Sequence, residues 1–325
     1  MISAVLTFAL SVVFCAVYLR LARRWRILDE PNERSSHRAP TPHGGGAALL
    51  SAFAAGMLMT AVFGTLWPWQ YYLLVAVALL LMGLGIVDDL LALSVRLRLP
   101  LYGLACLLTA WVLWPPAGSF ASVAWLLLPV ALAMLWLVNL YNFMDGIDGI
   151  AATQCVLACG AAALLCTGGV GSHYALFCLL LAASQLGFLV WNWPPARLFM
   201  GDAGSVPSGF LLAALALLGS VQGQLHPACW LVLLAAFITD ASWTLLWRMA
   251  TGQAFTRPHR LHAYQRLSVH WGSHRSVDLL LVLIFLCWLL PLAWLLQNNP
   301  DQAFLLVILA YLPLLLGMAK SRALA

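Results

Sequence analysis

Long apolar runs are the feature that most constrains the fold of this chain. A helix needs roughly 20 apolar residues to cross the hydrocarbon core of a membrane, and runs of this kind recur along the whole sequence. Soluble domains carry about 25% charged residues, whereas this chain has 8% charged and 63% hydrophobic residues. The sequence therefore predicts an all-α polytopic membrane protein, with residues 1–325 in a single integral membrane domain. About 11 transmembrane helices are predicted, near residues 2–20, 46–66, 71–88, 99–114, 121–141, 149–168, 172–192, 206–221, 227–249, 277–296 and 302–319.

Positively charged residues predict the orientation of these helices. All 16 Lys and Arg residues fall on alternate connections, at 20–38, 96–98, 197, 248–275 and 320–322. Cytoplasmic connections carry an excess of Lys and Arg, so we expect the N-terminus outside and the C-terminus in the cytoplasm. The net charge of +5 does not indicate nucleic-acid binding, because these residues form short clusters between apolar runs and no continuous basic face.

Acidic residues concentrate on the predicted cytoplasmic side, and Asp301 alone lies outside. A carboxylate near a membrane span is costly unless it pairs, binds a cation or contacts water. Asp88 and Asp89 end the third predicted span as adjacent carboxylates. Because like charges this close oppose each other's ionisation, a divalent metal or a phosphate–metal unit is their simplest partner. A solvated helix terminus is the alternative interpretation.

A run ending at Gly149 places polar side chains three residues apart, at Asn139, Asn142, Asp145 and Asp148. Each three-residue step drifts by about 60° on an ideal helix. The four side chains therefore converge only in a tight or glycine-broken segment. Oxygen ligands of this kind suit Mg²⁺ or Mn²⁺ together with a diphosphate.

Two glycine-containing segments add candidates on the same side. Gly45 and Gly46 open the second predicted span, where backbone N–H groups can approach an anion closely. A flexible turn is the alternative for them. Asp202 stands between glycines and suits metal ligation better than core packing, and Asn192 precedes it by ten residues.

The last long connection is rich in Arg and His, including His259, Arg260 and His262. Guanidinium and imidazole donors in this density predict anion binding. A basic loop at the membrane surface would have a similar composition. Asp240, in the cytoplasmic half of the ninth predicted span, has no role that the sequence explains.

In their order along the chain, these motifs resemble the polyprenyl-phosphate N-acetylhexosamine-1-phosphate transferase family, of the glycosyltransferase family 4 type. The resemblance covers nearly the whole chain and is nearest to the transferases that initiate O-antigen synthesis. Relatives usually have Asp or Lys three residues after the acidic pair, where this chain has Ala92. The loop reads His-Arg-Leu-His and contains fewer histidines than is usual in the family.

The resemblance implies a Mg²⁺-dependent reaction, with Mn²⁺ as the alternative metal. A polyprenyl phosphate would attack the β-phosphorus of a UDP-N-acetylhexosamine, giving polyprenyl-diphospho-sugar and UMP. Asp202 and Asn142 would hold the metal, and Asp88 and Asp89 would be catalytic, with Asp88 orienting or deprotonating the lipid phosphate. The substrate-binding residues would be Gly45, Gly46, Asp145, Asp148, Asn192, His259, Arg260 and His262, with Asp148 reading the uracil.

The implied partners are undecaprenyl phosphate, the nucleotide sugar and the lipid bilayer of a bacterial inner membrane, with the site on its cytoplasmic face and a role in lipopolysaccharide synthesis. The oligomeric state is open, a homodimer included. Two alternatives belong to other classes. A cation-coupled transporter could use the same carboxylates, although transporter sites lie near the midplane. A CDP-alcohol phosphotransferase also has paired Asp-Gly elements, but the arginine expected after the first pair is absent.

Overall fold

A computed structural model describes residues 2–30, 40–114, 120–253 and 260–322. In the helix that begins at residue 120, the side chains are described from residue 125 onward. The described chain is almost entirely helical. A two-stranded antiparallel ribbon, β1 (Leu28–Asp29) with β2 (Thr41–Pro42), follows the first helix and pairs Leu28 with Pro42. The helices are α1 (Ile2–Trp25), α2 (Gly46–Val62), α3 (Trp69–Leu91), α4 (Val95–Leu113), α5 (Phe120–Met144), α6 (Ile150–Leu165), α7 (His173–Asn192), α8 (Asp202–Val221), α9 (Pro227–Leu233), α10 (Ala235–Ala250), α11 (Ala263–Trp271), α12 (His274–Ile284), α13 (Leu290–Asn298) and α14 (Ala303–Ser321). A π-helical turn, Phe285–Leu289, joins α12 to α13, and a 3₁₀ turn, Pro300–Gln302, precedes α14.

The predicted class, an all-α polytopic membrane protein, is confirmed. Within the described residues, 8 helices are long and apolar enough to cross a membrane, and the pair α9 and α10, bent by 73°, makes a ninth if it is one span. The two remaining predicted runs, 46–66 and 149–168, form the shorter helices α2 and α6. They are shorter because the runs extend into turns: α2 ends before Gly64, which has a φ of 95°, and α6 ends before Cys166.

Helix α8 lies at the centre of the bundle. Of its apolar window 83% is buried, and it contacts α2, α3, α4, α5 and α6. Small residues permit this packing: a Cβ atom on Gly209 would lie 2.9 Å from that of Tyr141 on α5. Close backbone approach through small residues is the usual way in which membrane helices associate.

Hydrogen bonds join several connections that lack Lys and Arg at one end of the bundle. Tyr71 donates to Oε1 of Gln222 at 3.0 Å, and the backbone N–H of Thr167 donates to the carbonyl of Gln224 at 2.8 Å. Gln297 accepts from the backbone N–H of His226 at 2.9 Å. The acidic motifs meet at the other end, so the alternation of charge along the sequence corresponds to two chemically different ends of the folded chain.

Candidate active site

The end of α3 lies against the start of α8. A Cβ atom on Gly85 would collide with the carbonyl oxygen of Asp202, so glycine is what lets these two backbones approach so closely. After this contact α3 continues for about one and a half turns. The contact therefore places Asp88 and Asp89 beside Asp202, although 113 residues separate Asp89 from Asp202.

Arg98, in the first turn of α4, joins two of the predicted carboxylates. Its Nη1 atom donates to Oδ2 of Asp88 at 2.5 Å and to Oδ2 of Asp202 at 3.2 Å. Nδ2 of Asn142 donates to Oδ1 of Asp202 at 2.8 Å. Four helices, α3, α4, α5 and α8, thus contribute one residue each to a single group. We call Asp88, Arg98, Asn142 and Asp202 the carboxylate cluster.

The carboxylate cluster is partly open. The side chain of Asp88 is 4% exposed, whereas those of Arg98 and Asp202 are 30% and 25% exposed. On α3 and α4, three residues after Asp88 and Arg98 and so on a neighbouring face, Leu91 and Leu101 are exposed. The cluster therefore lies between the protein interior and an apolar outer surface.

Asp89 caps the first turn of α8. Its Oδ1 accepts from the backbone N–H of Asp202 at 3.0 Å and its Oδ2 from that of Ala203 at 3.2 Å. The first N–H groups of a helix have no partner within the helix, and the positive end of the helix dipole stabilises a carboxylate placed there. Both oxygens of Asp89 thus position Asp202. The catalytic role predicted for Asp89 stays a prediction.

The glycine run at the start of α2 packs against the segment that precedes α8. The N–H of Gly45 donates to the carbonyl of Phe199 and that of Gly46 to the carbonyl of Met200, both at 2.9 Å. A Cβ atom on Gly46 would collide with the backbone of Gly204. The structure gives both glycines a packing role, and their contact with a substrate stays a prediction.

The polar residues spaced three apart divide between α5 and the turn that follows it. Asn139 and Asn142 lie on α5, and Asn139 donates to the carbonyl of Leu135 on its own helix at 2.8 Å, so it does not join the cluster. Asp145 lies in the turn, where burial, followed by the charges of Asp202 and other nearby carboxylates, raises its pKa well above the usual range. A cation or hydrogen-bond donor next to Asp145 would favour its ionised form.

A second group of polar residues holds this turn to the segment between α7 and α8. Oδ2 of Asp148 accepts from the backbone N–H of Ala196 at 3.0 Å and lies 3.2 Å from Nδ1 of His274. Oδ1 of the buried Asn192 accepts from the backbone N–H of Gly149 at 2.9 Å. Gly149 has a φ of 80°, which favours glycine there. Asp148 and Asn192 therefore lie together at the α6 end of the turn that joins α5 to α6.

The Arg- and His-rich loop docks onto the same turn through α11. Oδ1 of Asp240 accepts from the backbone N–H of Ala263 at 2.8 Å, and Oδ2 from that of Tyr264 at 2.9 Å. Nδ1 of the buried His262 lies 3.3 Å from Oδ1 of Asp240. The hydroxyl of Tyr264 donates to the carbonyl of Phe143, at the end of α5, at 2.9 Å. Asp240 thus caps α11 and fixes the end of the loop, which explains an acidic residue in an apolar helix.

Of the three residues predicted on that loop, His262 has the most defined surroundings. Its ring stacks on that of Tyr264 with 5.7 Å between centroids. Arg260 is half-buried two residues earlier, and His259 lies outside the described residues. The loop end, the turn after α5 and the carboxylate cluster are therefore neighbours at one end of the bundle.

The residues present fit a divalent metal by their chemistry. Asp88 and Asp202 both contact one positively charged group, Arg98, so a single cationic centre can lie between these two carboxylates. Carboxylate and amide oxygens are the ligands of Mg²⁺ and Mn²⁺. In the described part of the chain no three His, Cys, Asp or Glu side chains form a ready-made metal cage. Substrate oxygens would have to complete the coordination, as is usual for Mg²⁺ bound with a diphosphate.

Sequence reasoning missed two residues of this site. Arg98 stands among the positive residues that the sequence explains by membrane orientation alone, and nothing local distinguishes it from Arg96. His274 follows a serine N-cap at the start of α12. Its proximity to Asp148 depends on how α12 packs on α6, which no short-range pattern reveals.

Comparison with known proteins places this chain among sugar-phosphate transferases. Residues 71–220 match the family described as glycosyl transferase family 4. The chain is 28% identical over 300 residues to a probable undecaprenyl-phosphate N-acetylglucosaminyl 1-phosphate transferase of Bacillus subtilis, covering 87% of this chain and 82% of that protein. It is 29% identical over 301 residues to the decaprenyl-phosphate N-acetylglucosaminephosphotransferase of Mycobacterium leprae, covering 81% and 75%. A phospho-N-acetylmuramoyl-pentapeptide-transferase of Synechococcus is 34% identical over 243 residues, 68% of each chain.

Proposed function

Because this chain belongs to glycosyl transferase family 4, we propose that it transfers N-acetylglucosamine 1-phosphate from UDP-N-acetylglucosamine to undecaprenyl phosphate. The relatives compared above are sugar-1-phosphate transferases. Its relatives from Bacillus and Mycobacterium act on polyprenyl phosphates and N-acetylglucosamine by their names. Family membership makes the chain a phosphotransferase and removes the transporter and the CDP-alcohol phosphotransferase as alternatives. A role at the start of O-antigen synthesis is the finer part of the proposal.

The observation that carries the proposal is the carboxylate cluster. In the reaction, an oxygen of the lipid phosphate forms a bond to the β-phosphorus of the nucleotide sugar. The bond from that phosphorus to the oxygen bridging the two phosphates breaks, and UMP leaves. Both reactants are negatively charged, so catalysis consists mainly of positioning them and neutralising charge. A cluster supplied by four helices, with Arg98 held between two carboxylates, is suited to this task.

Each residue of the carboxylate cluster has a distinct task in this scheme. Asp88 orients the acceptor and takes up a proton when the lipid phosphate carries one. The side chain of Arg98 is 30% exposed, and a guanidinium fork matches the oxygens of a phosphate. Asn142 holds Oδ1 of Asp202 and fixes the direction of that carboxylate. Asp89 and Asn192 act as positioning residues, because they accept hydrogen bonds from backbone N–H groups of neighbouring segments.

Mg²⁺, or Mn²⁺ in its place, is the metal that this set of oxygens would hold through Asn142 and Asp202, with Asp88 beside it. When bound, it supplies neutralisation of the negative charge on the diphosphate.

The nucleotide sugar would lie on the second polar group and the loop end. The backbone N–H of Ala196 and Nδ1 of His274 both contact Oδ2 of Asp148. These contacts fix the orientation of the carboxylate, which can accept a hydrogen bond from a uracil N–H. Arg260, His262 and His259 would contact the diphosphate or the sugar. The Gly45–Gly46 run and Asp145 complete the set of predicted substrate contacts.

The membrane arrangement that suits this chemistry has eleven spans, with α2 and α6 counted among them. The N-terminus would lie outside the cell. The site and the C-terminus would lie on the cytoplasmic face of a bacterial plasma membrane, and nucleotide sugars are made in the cytoplasm. The segregation of all Lys and Arg on alternate connections supports this orientation.

Release of UMP from purified protein tests the proposal directly. We expect release from UDP-N-acetylglucosamine only when both undecaprenyl phosphate and Mg²⁺ are present. Asp202→Asn should lower turnover by at least about 100-fold, the scale seen when one preorganised electrostatic group is lost. Asp301→Asn is the matched control, because it makes the same change at an exposed position at the other end of the bundle. Near-normal turnover of folded Asp202→Asn protein would contradict the assignment.

A further inference from the structure

Three arginines surround a cavity that the proposed reaction does not use. The cavity, of about 240 Å³, lies between the end of α10, the middle of α11 and the end of α14, and its lining includes Arg248, Arg266, Arg322 and Trp247. The three arginines come from separate helices. We call Arg248, Arg266 and Arg322 the arginine pocket.

Arg266 and Arg322 hold donors that lack acceptors in the described part of the chain. Nη2 of Arg266 donates to Oγ of Ser321 at 3.0 Å, but its buried Nε has no hydrogen-bond partner in the described part of the chain. The guanidinium of Arg322 lies 3.5 Å from the ring centroid of Trp247. Its Nε and Nη1 are also buried without an acceptor among the described residues. Leaving a buried donor without an acceptor is unfavourable, so these groups favour a ligand that brings acceptor atoms.

Charge favours the same kind of ligand. Arg266 and Arg322 both carry a permanent positive charge on this cavity, and the described residues that line it include no carboxylate. The neighbouring carboxylate of Asp240 is already used by Ala263, Tyr264 and Thr244. Arginine donors bind phosphate oxygens in pairs, and a cavity of this size has room for a phosphate group with several waters.

The arginine pocket is separate from the carboxylate cluster. Residues two apart on a helix point about 200° away from each other. On α11, Tyr264 therefore faces the turn after α5, where it donates to Phe143, and Arg266 faces Ser321 on α14. The body of α11 lies between the two sites. A ligand in the pocket would contact α11 from behind and would not touch the reacting groups.

The surroundings favour a lipid as the source of the phosphate. Next to the pocket, Leu246, Trp247 and Met249 on α10 and Leu316 on α14 are exposed. α14 is a candidate membrane span and α10 is half of the bent one, so these apolar side chains face acyl chains. Trp at the ends of spans marks the membrane–water interface, and basic pockets at that depth bind lipid head groups. We propose that the arginine pocket binds the phosphate group of an anionic phospholipid.

Native mass spectrometry of the full chain, released from detergent with added phosphatidylglycerol, tests this proposal. We expect one tightly retained phosphatidylglycerol per chain, and phosphatidylcholine at the same concentration should be retained at least tenfold less. Arg322→Gln should weaken retention at least tenfold, and Arg266→Gln with Arg322→Gln should abolish it. Arg322 lies in the last described turn and is partly exposed, so its replacement leaves the core of the fold intact.

Arg275→Gln is the matched control. It removes an exposed arginine from the same end of the chain without touching the pocket, and retention should equal that of the parent protein. A parallel titration with inorganic phosphate, followed by thermal stability, separates the sources. Stabilisation by phosphate that depends on Arg322 would support a phosphate site but assign it to a soluble ligand. Equal loss of lipid in Arg275→Gln and Arg322→Gln, or no preference for the anionic lipid, would overturn the proposal.

Discussion

At the scale of single residues, most polar side chains of the site bind other parts of the protein before they bind any substrate. Asp89 and Asp240 each accept two backbone N–H groups at the first turn of a helix that lies elsewhere in the sequence. Asn192 accepts one backbone N–H, that of Gly149 directly before α6. Such groups fix the groups that react, as a preorganised site requires. Arg98 is the residue in which positioning and contact with substrate combine.

Arg98→Lys separates the charge of this residue from its geometry. Lysine keeps the positive charge but lacks the further planar N–H donors that the guanidinium keeps for a phosphate while Nη1 contacts both carboxylates. We expect turnover to fall by about 10- to 100-fold, since proximity and orientation are lost while charge is kept, with little change in thermal stability. Steady-state UMP release measures this effect. Arg96→Lys is the control, because Arg96 is exposed on the same turn of α4 and should retain full turnover. Equal rates for both variants would remove Arg98 from the site.

At the scale of helices and turns, α8 depends on backbones that approach it through glycine. Gly46 meets Gly204 and Gly85 meets the carbonyl of Asp202, on two different neighbouring helices. These contacts involve main chain on both sides, which cannot move aside as a flexible side chain can. The start of α8, and Asp202 with it, is thereby fixed from two directions.

Gly46→Ala should therefore destabilise the protein by about 1–3 kcal/mol, the usual cost of overpacking a filled interior. Turnover should fall with it, because Asp202 would move. Gly83→Ala is the matched control: Gly83 is also helical, and a Cβ atom there meets nothing within 4 Å, so alanine should leave stability equal or slightly higher. Melting temperatures of the two variants in the same detergent measure the difference. A stable Gly46→Ala protein would show that α2 and α8 can separate without cost.

The sequence predicted the helices well, because apolar length and glycine punctuation are local properties. It also predicted the residues that meet at one end of the bundle, since acidic groups next to apolar runs are costly without a purpose. It could not predict which of them touch. Asp89 and Asp202 are equally acidic in the sequence, and only the packing of α3 on α8 turns one into a helix cap. The capping role of Asp240 depends likewise on where α11 begins.

At the scale of the whole molecule, the chain has two chemically different ends. Uncharged hydrogen bonds among Tyr71, Gln222, Gln224 and Gln297 join the connections at one end. The carboxylates and arginines of the site occupy the other. A polarised bundle of this kind has a defined orientation across a membrane, which labelling can establish.

Cysteine labelling in intact cells tests the proposed orientation. Cys287 is the exposed native cysteine among the described residues and should first be changed to serine. We expect Asp301→Cys to react with an impermeant maleimide from outside, because its connection carries no Lys or Arg. His270→Cys, exposed on α11, should react only after the cells are permeabilised. The reverse pattern would invert the orientation and place the site outside the cell.

The exposed leucines beside the carboxylate cluster determine which concentration of the proposed lipid acceptor is relevant to the rate. Leu91 and Leu101 leave an apolar surface open within one turn of Asp88 and Arg98, so the prenyl tail of the proposed acceptor would reach the cluster sideways without leaving the hydrocarbon. The tail then needs no enclosing tunnel, and the product departs by the route along which the acceptor came. For such an enzyme the effective concentration of acceptor is its mole fraction in the surrounding bilayer. Diluting the vesicles in buffer leaves that quantity unchanged, whereas diluting the acceptor with other lipids lowers it. The rate would therefore depend on the volume concentration of the nucleotide sugar in solution and on the surface concentration of the lipid acceptor in the bilayer.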